Sequence, residues 1–375
     1  MSAKASHGWQ FKTLSEVVHL KHGRALSKEA VSETAKYPIY GSNGIIGRTS
    51  NFLFDKPTIV IGRVGASGEI KLTNGPAWFS DNSIYISDFL EDIDLRFLYY
   101  CLRWTQLSRF ASRTSQPLIT QSTILKHRVP LPPVQTQKLI SNILVRAEEL
   151  VNKRGQANQL TNKIIQSVFF KMFGNEATIL KSWEWRTIEE CTDRIIDYRG
   201  KTPPKTSSGV PLITAKIVKN DEILEPNEFI AADFYDKWMV RGLPRYGDVL
   251  FTSEAPLGNV AQLKLKKKIA LAQRIILLRG KEKVVDNAFL VYALLHPIVK
   301  REIQSRATGS TVKGIRQARL REVRIPIPPL ELQEKFARVS ARIESMRQNQ
   351  IQSTREISEL FYSLMNKAFS GELIS

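Results

Sequence analysis

Arg128-Val129-Pro130-Leu131-Pro132-Pro133-Val134 and Arg324-Ile325-Pro326-Ile327-Pro328-Pro329-Leu330 are two copies of one motif, 196 residues apart. The same offset pairs Gln137 with Gln333, Arg146 with Arg342, Glu148 with Glu344, Ser167 with Ser363 and Phe173 with Phe369, without a gap. Upstream the offset drifts. Phe97-Leu98-Tyr99-Tyr100 answers Phe289-Leu290-Val291-Tyr292 at 192, and Trp9 and Leu14 answer Trp183 and Ile188 at 174. An internal repeat that drifts early and holds its length late divides the chain into two halves. Each half reads as a variable globular module followed by a helix of fixed length.

The prolines end a strand, because proline has no N–H to give a ladder, and they stiffen the lead into the helix. Beyond them, apolar or small residues recur at Ile140, Ile143, Ala147, Leu150, Ala157, Ile164 and Val168. The second copy has Phe336, Val339, Ile343, Met346, Ile357, Leu360 and Leu364. Steps of three and four make a coiled-coil seam. Ile143, Leu150 and Ile164 are therefore expected to pack on Val339, Met346 and Leu360, with a polar middle around Arg154 and Gln350. The competing expectation is an ordinary amphipathic helix on each module. Inside the modules, Thr58–Ile61 and Ser83–Ile86 read as strands, answered by Asp248–Phe251 and Arg274–Leu278. Short buried helices are expected over Leu95–Leu107 and Asn287–Ile303. The pattern suits an α+β fold better than alternating βαβ units. Modules are placed at 1–134 and 175–329, and helices at 135–174 and 330–375.

At 375 residues the chain is too long for one core, which agrees with two or more domains. No apolar run approaches the ~18 residues of a spanning helix, and Met1–Gln10 lacks the apolar stretch of a signal peptide. A membrane partner is not expected. Cys101 and Cys191 are the only cysteines, which points to a reducing cytoplasm. The net charge of +19 points to a polyanion, with nucleic acid the leading candidate. That excess sits mainly in the modules, +6 over residues 1–134 and +9 over 175–329, with +4 over 135–174, while 330–375 is neutral. Lys264, Lys266, Lys267 and Lys268 form one basic cluster; Lys313 and Arg316 belong to another, between Lys300 and Arg324. Phosphate contacts give affinity without sequence information, so charge alone indicates a binder.

Gly62-Arg63-Val64-Gly65-Ala66-Ser67-Gly68 is glycine-rich but lacks the Lys-Ser/Thr of a P-loop. It reads either as a turn or as backbone amides and Arg63 presented to nucleic acid. Ser253–Asn259 stands at the matching place in the second copy. Arg63, Ser67 and Asn82, with Ser253, Gln273 and Arg274, are the expected base readers. They flank the matched strands, and Arg, Asn and Gln can pair bidentately with bases. No Asn/Asp-Pro-Pro-aromatic element of an amino-methyltransferase is present. His19 and His22 are spaced for one helix face but lack companion ligands. No catalytic residue and no metal site is expected in this chain.

The order of these marks resembles the DNA specificity subunit of type I restriction–modification systems. Each variable module is closed by Pro-Leu-Pro-Pro or Pro-Ile-Pro-Pro, then a Gln and a long helix. Trp9-x4-Leu14, Trp183-x4-Ile188, Thr114-Ser115-Gln116-Pro117 and Phe369-Ser370-Gly371-Glu372-Leu373 also fit. Gly309-Ser310-Thr311-Val312-Lys313 departs from the Gln-Pro form in the second module. The resemblance implies two similar target recognition domains separated by two long antiparallel coiled-coil helices, a pseudo-twofold repeat. Each domain would read half of a bipartite asymmetric site on double-stranded DNA, with the helices setting the gap. It also implies two methyltransferase subunits that use S-adenosylmethionine to methylate adenine, and a restriction/motor subunit using ATP and Mg2+. This chain would bind none of those cofactors itself. The alternative is a specificity chain serving a fused methyltransferase–nuclease of another restriction type.

Overall fold

Both modules begin and end on the same short ladder. In the first, Gln10–Thr13 pairs antiparallel with Arg128–Leu131, Lys12 lying opposite Val129. In the second, Glu184–Thr187 pairs with Arg324–Ile327, Arg186 opposite Ile325. The proline strand is thus the return strand of each module, in a two-stranded sheet where a missing N–H is tolerated. The computed structural model describes residues 9–112, 114–174, 179, 182–198, 200 and 202–374. The chain divides into two units, Met1–Gln156 with Ile351–Ser375, and Ala157–Gln350.

Unit 1 holds a four-stranded sheet in the order Val18–His22, Ser83–Phe89, Ile59–Gly62, Ile70–Leu72, and a three-stranded sheet of Gly44–Thr49, Tyr37–Gly41 and Trp78–Phe79. Unit 2 repeats the four-stranded sheet as Thr192–Asp197, Ile275–Gly280, Val249–Thr252 and Val260–Gln262. Helix Leu95–Thr105 buries Phe97, Leu98, Cys101 and Leu102 in the unit 1 core. The helix expected over Asn287–Ile303 is two helices, Asn287–Leu295 and Pro297–Arg306. Pro297 forces the break: the residue before a proline avoids helical backbone, and His296 has ψ 138°. His19 and His22 lie on a strand, where residues three apart point to opposite faces, so the one-face expectation is overturned. Cys101 and Cys191 are buried free thiols whose pKa values burial raises.

One buried glutamine in each unit fastens ladder, buried helix and long helix together. Gln137 donates from Nε2 to Pro132 O at 2.8 Å and accepts from Asp94 N at 2.9 Å. Gln333 does the same with Pro328 O at 2.8 Å and Asp286 N at 2.9 Å. Asp94 and Asp286 are the N-caps of the buried helices. A single amide therefore satisfies a carbonyl that the proline turn leaves over and an N–H preceding a helix.

The long helices run Val134–Phe173 and Leu330–Ser370. In unit 1 the early part of the first packs with the late part of the second: Ile140 and Leu144 share a core with Phe361, Met365, Ala368 and Phe369. In unit 2, Ile165, Phe169 and Phe173 share a core with Phe336. The helices are antiparallel and the expected seam is met in part: Ile140 and Phe336 are buried, and Ala147, Val168, Ile343 and Leu364 pack partly buried against the cores, but the pairing expected between the named seam residues does not form. Ile143, Leu150, Ile164, Met346 and Leu360 are exposed, Leu150 and Leu360 each at 55%, and Val339 is half-buried. The buried line includes polar Ser141, Thr161 and Ser340, which an apolar count passes over.

Gln333→Ala leaves the Asp286 N–H and the Pro328 carbonyl without their partner. It is expected to cost about 2–3 kcal/mol, read from urea unfolding, with Gln137→Ala changing stability in the same direction. A loss below about 0.5 kcal/mol would show that the glutamine does not hold the junction.

Candidate nucleic-acid interface

In unit 1 the loop after strand Ile59–Gly62 closes on itself, Gly68 N donating to Gly62 O at 2.8 Å. It is held from two sides. Arg63 N donates to Asn82 O at 2.8 Å, and Arg63 O accepts from Ile119 N at 3.0 Å. Gly65 N donates to Pro117 O at 3.0 Å. Gly68 has φ +82°, and a Cβ there would fall 2.3 Å from Ser108 N, so only glycine fits.

Unit 2 builds the same junction from a different sequence. Gly258 N donates to Thr252 O, Ser253 N to Arg274 O, and Ile315 N to Ser253 O, each at 2.9 Å. Gly65, at φ 78°, is answered by Ala255 at φ 47°. Arg274 also takes a positive φ, 71°, a conformation uncommon outside glycine and concentrated at functional sites. The junction lines an open cavity of about 450 Å³ with Ser253, Glu254, Gln273, Arg274, Val312 and Arg316 among its walls. Arg274 lies 3.6 Å from Glu254, so the cavity offers a guanidinium, a carboxylate and an amide side by side.

The expected readers Arg63 and Asn82 come together in unit 1, and Gln273 and Arg274 in unit 2, joined by Arg316. Lys313 is exposed on the neighbouring loop. Four expectations fail or weaken. Ser67 is 5% exposed, its hydroxyl between Arg63 O at 2.8 Å and Pro117 O at 2.5 Å, so it fastens the loop and faces no ligand. Ser253 is buried as well. Lys264 bonds Glu344 of the long helix at 3.1 Å, and Lys267 bonds Glu225 at 3.1 Å. Lys266 is exposed but shares their segment. The register explains the separation. Phe251 pairs with Val260 and Val249 with Gln262, so the lysines after Gln262 lie at the opposite end of these strands from Ser253. Much of the second basic cluster is also paired, Arg306 with Glu302, Arg319 with Glu322 and Arg321 with Glu189.

The geometry adds groups that residue type alone did not single out. Glu254 was missed because an acid inside a basic module looks like noise. Gln116, quoted above only as part of a motif, is exposed one residue before Pro117. His22 ends its strand opposite Ile84, near Asn82. Burial and then the Arg63 charge hold its imidazole below the ordinary value. In unit 2, Arg241 donates to Asp197 O at 2.5 Å and lines a second cavity, of about 710 Å³, with Arg316 and Gln317. Among the described residues no His, Cys, Asp and Glu cluster is suited to a metal ion, and no helix is long and apolar enough to cross a membrane.

Residues 6–162 and 181–358 match the family described as type I restriction modification DNA specificity domain. The type I restriction enzyme MjaVIII specificity subunit of Methanocaldococcus jannaschii is 23% identical over 301 residues, 75% of this chain and 71% of that protein. The EcoDI specificity subunit of Escherichia coli is 21% identical over 399 residues, 97% and 88% of the two chains. The S subunit of the type I system of M. genitalium has the same fold, with a TM-score of 0.63 at 20% identity over 98% of each chain. These relatives are type I throughout, and the alternative of a chain for a fused enzyme is not favoured. With both repeats matched and the same fold found, the chain belongs to the type I restriction–modification DNA specificity family, whose part is recognition and not catalysis.

Proposed function

We propose that the two loop junctions read the two halves of a bipartite asymmetric DNA site. One observation carries this reading: the junctions share a backbone hydrogen-bond pattern while presenting different side chains. Arg63, Asn82 and Gln116 stand in one; Glu254, Gln273, Arg274 and Arg316 in the other. Arginine suits guanine O6 and N7, asparagine and glutamine suit adenine, and a carboxylate accepts from cytosine N4. Unlike sets of donors and acceptors on a like frame would select unlike half-sites. Lys313, exposed on the loop beside the second junction, would serve phosphates, which position the protein without reading sequence.

The same reading assigns the second apolar stripe of the long helices to partners. Leu139, Ile143 and Leu150 in unit 1, and Leu160, Ile164 and Met346 in unit 2, are exposed at helical spacing. A rigid helix with one face buried in its own core and another left apolar suits a helix of a partner chain. The partners would be two methyltransferase subunits, joined for cleavage by a restriction/motor subunit. S-adenosylmethionine, ATP and Mg2+ would be held by those subunits, and the complex would act in the cytoplasm.

Methylation mapping with the assembled methyltransferase tests the reading. Arg274→Ala with Gln273→Ala is expected to relax one half-site and leave the other intact, and Arg63→Ala with Asn82→Ala the reverse. Each lost bidentate contact should cost ~1–3 kcal/mol of base discrimination; unchanged preference in both half-sites would overturn it. The isolated chain is expected to bind DNA with affinity falling roughly a thousandfold from about 50 to 200 mM salt if about six phosphates are neutralised. Leu139→Glu with Leu150→Glu should leave melting nearly unchanged, within about 0.5 kcal/mol, yet abolish co-elution with the methyltransferase subunits.

A further inference from the structure

Glu148 and Glu344 occupy equivalent positions on the two long helices, and both are drawn into polar networks reaching the module beside them. Glu148 accepts from Tyr100 OH at 2.7 Å and from the Arg103 guanidinium, both on helix Leu95–Thr105. The Arg103 guanidinium also lies over the Tyr99 ring, 5.2 Å from its centre. Glu344 bonds Lys264 at 3.1 Å, beyond the edge strand of the sheet. Arg347, one helical turn further on, lies 3.5 Å from Glu344, 3.3 Å from Asp221 and 3.8 Å from Glu222. Arg347, Asp221 and Glu344 are all largely buried, with side chains no more than 20% exposed.

These networks differ in kind from the rest of the contact between module and helix. Ile140, Leu144 and Val145 in unit 1, and Phe336 and Ile343 in unit 2, pack through apolar surface, which has no directional preference. Buried ion pairs often add little net stability over apolar replacements, and their best-attested use is to select one arrangement among several. The two units meet the same helix carboxylate with cations from different elements, Arg103 from a helix in one and Lys264 from a sheet edge in the other. What the two copies share is the anchor point on the helix.

We propose that Glu148 and Glu344 are positioning residues that set the tilt of each reading module on its helix, and through it the gap between half-sites that the protein accepts. This rests on the bipartite reading proposed above. Lys264 and the reading loop lie at opposite ends of strand Val249–Thr252, about 13 Å apart for four residues. A tilt of about 15° over that lever moves the loop by ~3.4 Å, one base-pair step.

The test uses the assembled methyltransferase on DNAs carrying both half-sites at the native gap and at gaps one and two base pairs longer or shorter. Glu344→Gln, Arg347→Met and Glu148→Gln are expected to raise methylation at the one-base-pair-off gaps about tenfold relative to the native gap, with half-site bases unchanged. Tyr100→Phe, which removes one hydroxyl, should act in the same direction and guards against variants that fail to fold. Variants that melt earlier but keep wild-type gap selectivity would show a merely structural role and overturn the proposal. Altered bases within a half-site would overturn it too. A wild-type complex that methylates no two-part site of fixed gap would instead defeat the bipartite reading itself.

Discussion

The junction at Gln137 and Gln333 is the constraint on which both modules depend. A Pro-Pro turn leaves a carbonyl without a ladder partner, and a helix start leaves N–H groups without one. The glutamine amide has one donor end and one acceptor end, and here each meets the backbone group it can satisfy. Because the ladder, the buried helix and the long helix converge on this side chain, the direction in which the long helix leaves is set by hydrogen bonds. Loop length and strand content can then vary within a module without altering its exit.

That division of labour explains how a repeated fold can present two different surfaces. The frame is made of backbone hydrogen bonds, which do not depend on side-chain identity. The left-handed position is glycine in one copy, Gly65, and alanine in the other, Ala255. The position filled by Ser67, whose hydroxyl fastens the first loop, is Leu257 in the second, where the loop closes by backbone bonds. Side chains at the rim are thereby released from structural duty. Charge follows the same logic: much of the basic excess of unit 2 is spent on internal pairs, and a smaller set at the strand ends faces outward.

The helices carry two apolar faces, and only one belongs to the core of this chain. Phe169 stacks on Phe289 and Phe173 meets Phe336 edge-on in unit 2, while Phe361 and Phe369 meet Tyr100 and Phe97 in unit 1. Part of the seam predicted from sequence, Ile143, Leu150, Ile164, Met346 and Leu360, is exposed because a count of large apolar residues does not tell positions that face the core from those that face outward. Polar Thr161 and Ser340 lie on the buried side, where packing against elements distant in sequence, not the local pattern, decides burial.

The sequence by itself determined the duplication, the strands that the prolines end, the α+β character and the long helices. All of these are written in local chemistry: prolines without N–H groups, apolar steps of three and four, and glycines at turns. It also carried the family resemblance, which rests on the order of those marks. Only the tertiary structure decided which of the singled-out residues face outward. Ser67 is taken up by Pro117, fifty residues away, and Lys264 by Glu344 on the last helix. Glu254 gains its place from Arg274, and Pro297 divides a helix that periodicity alone would continue. The physical reason is common to these cases: a side chain's burial and pairing are fixed by partners distant in sequence, which no local pattern names.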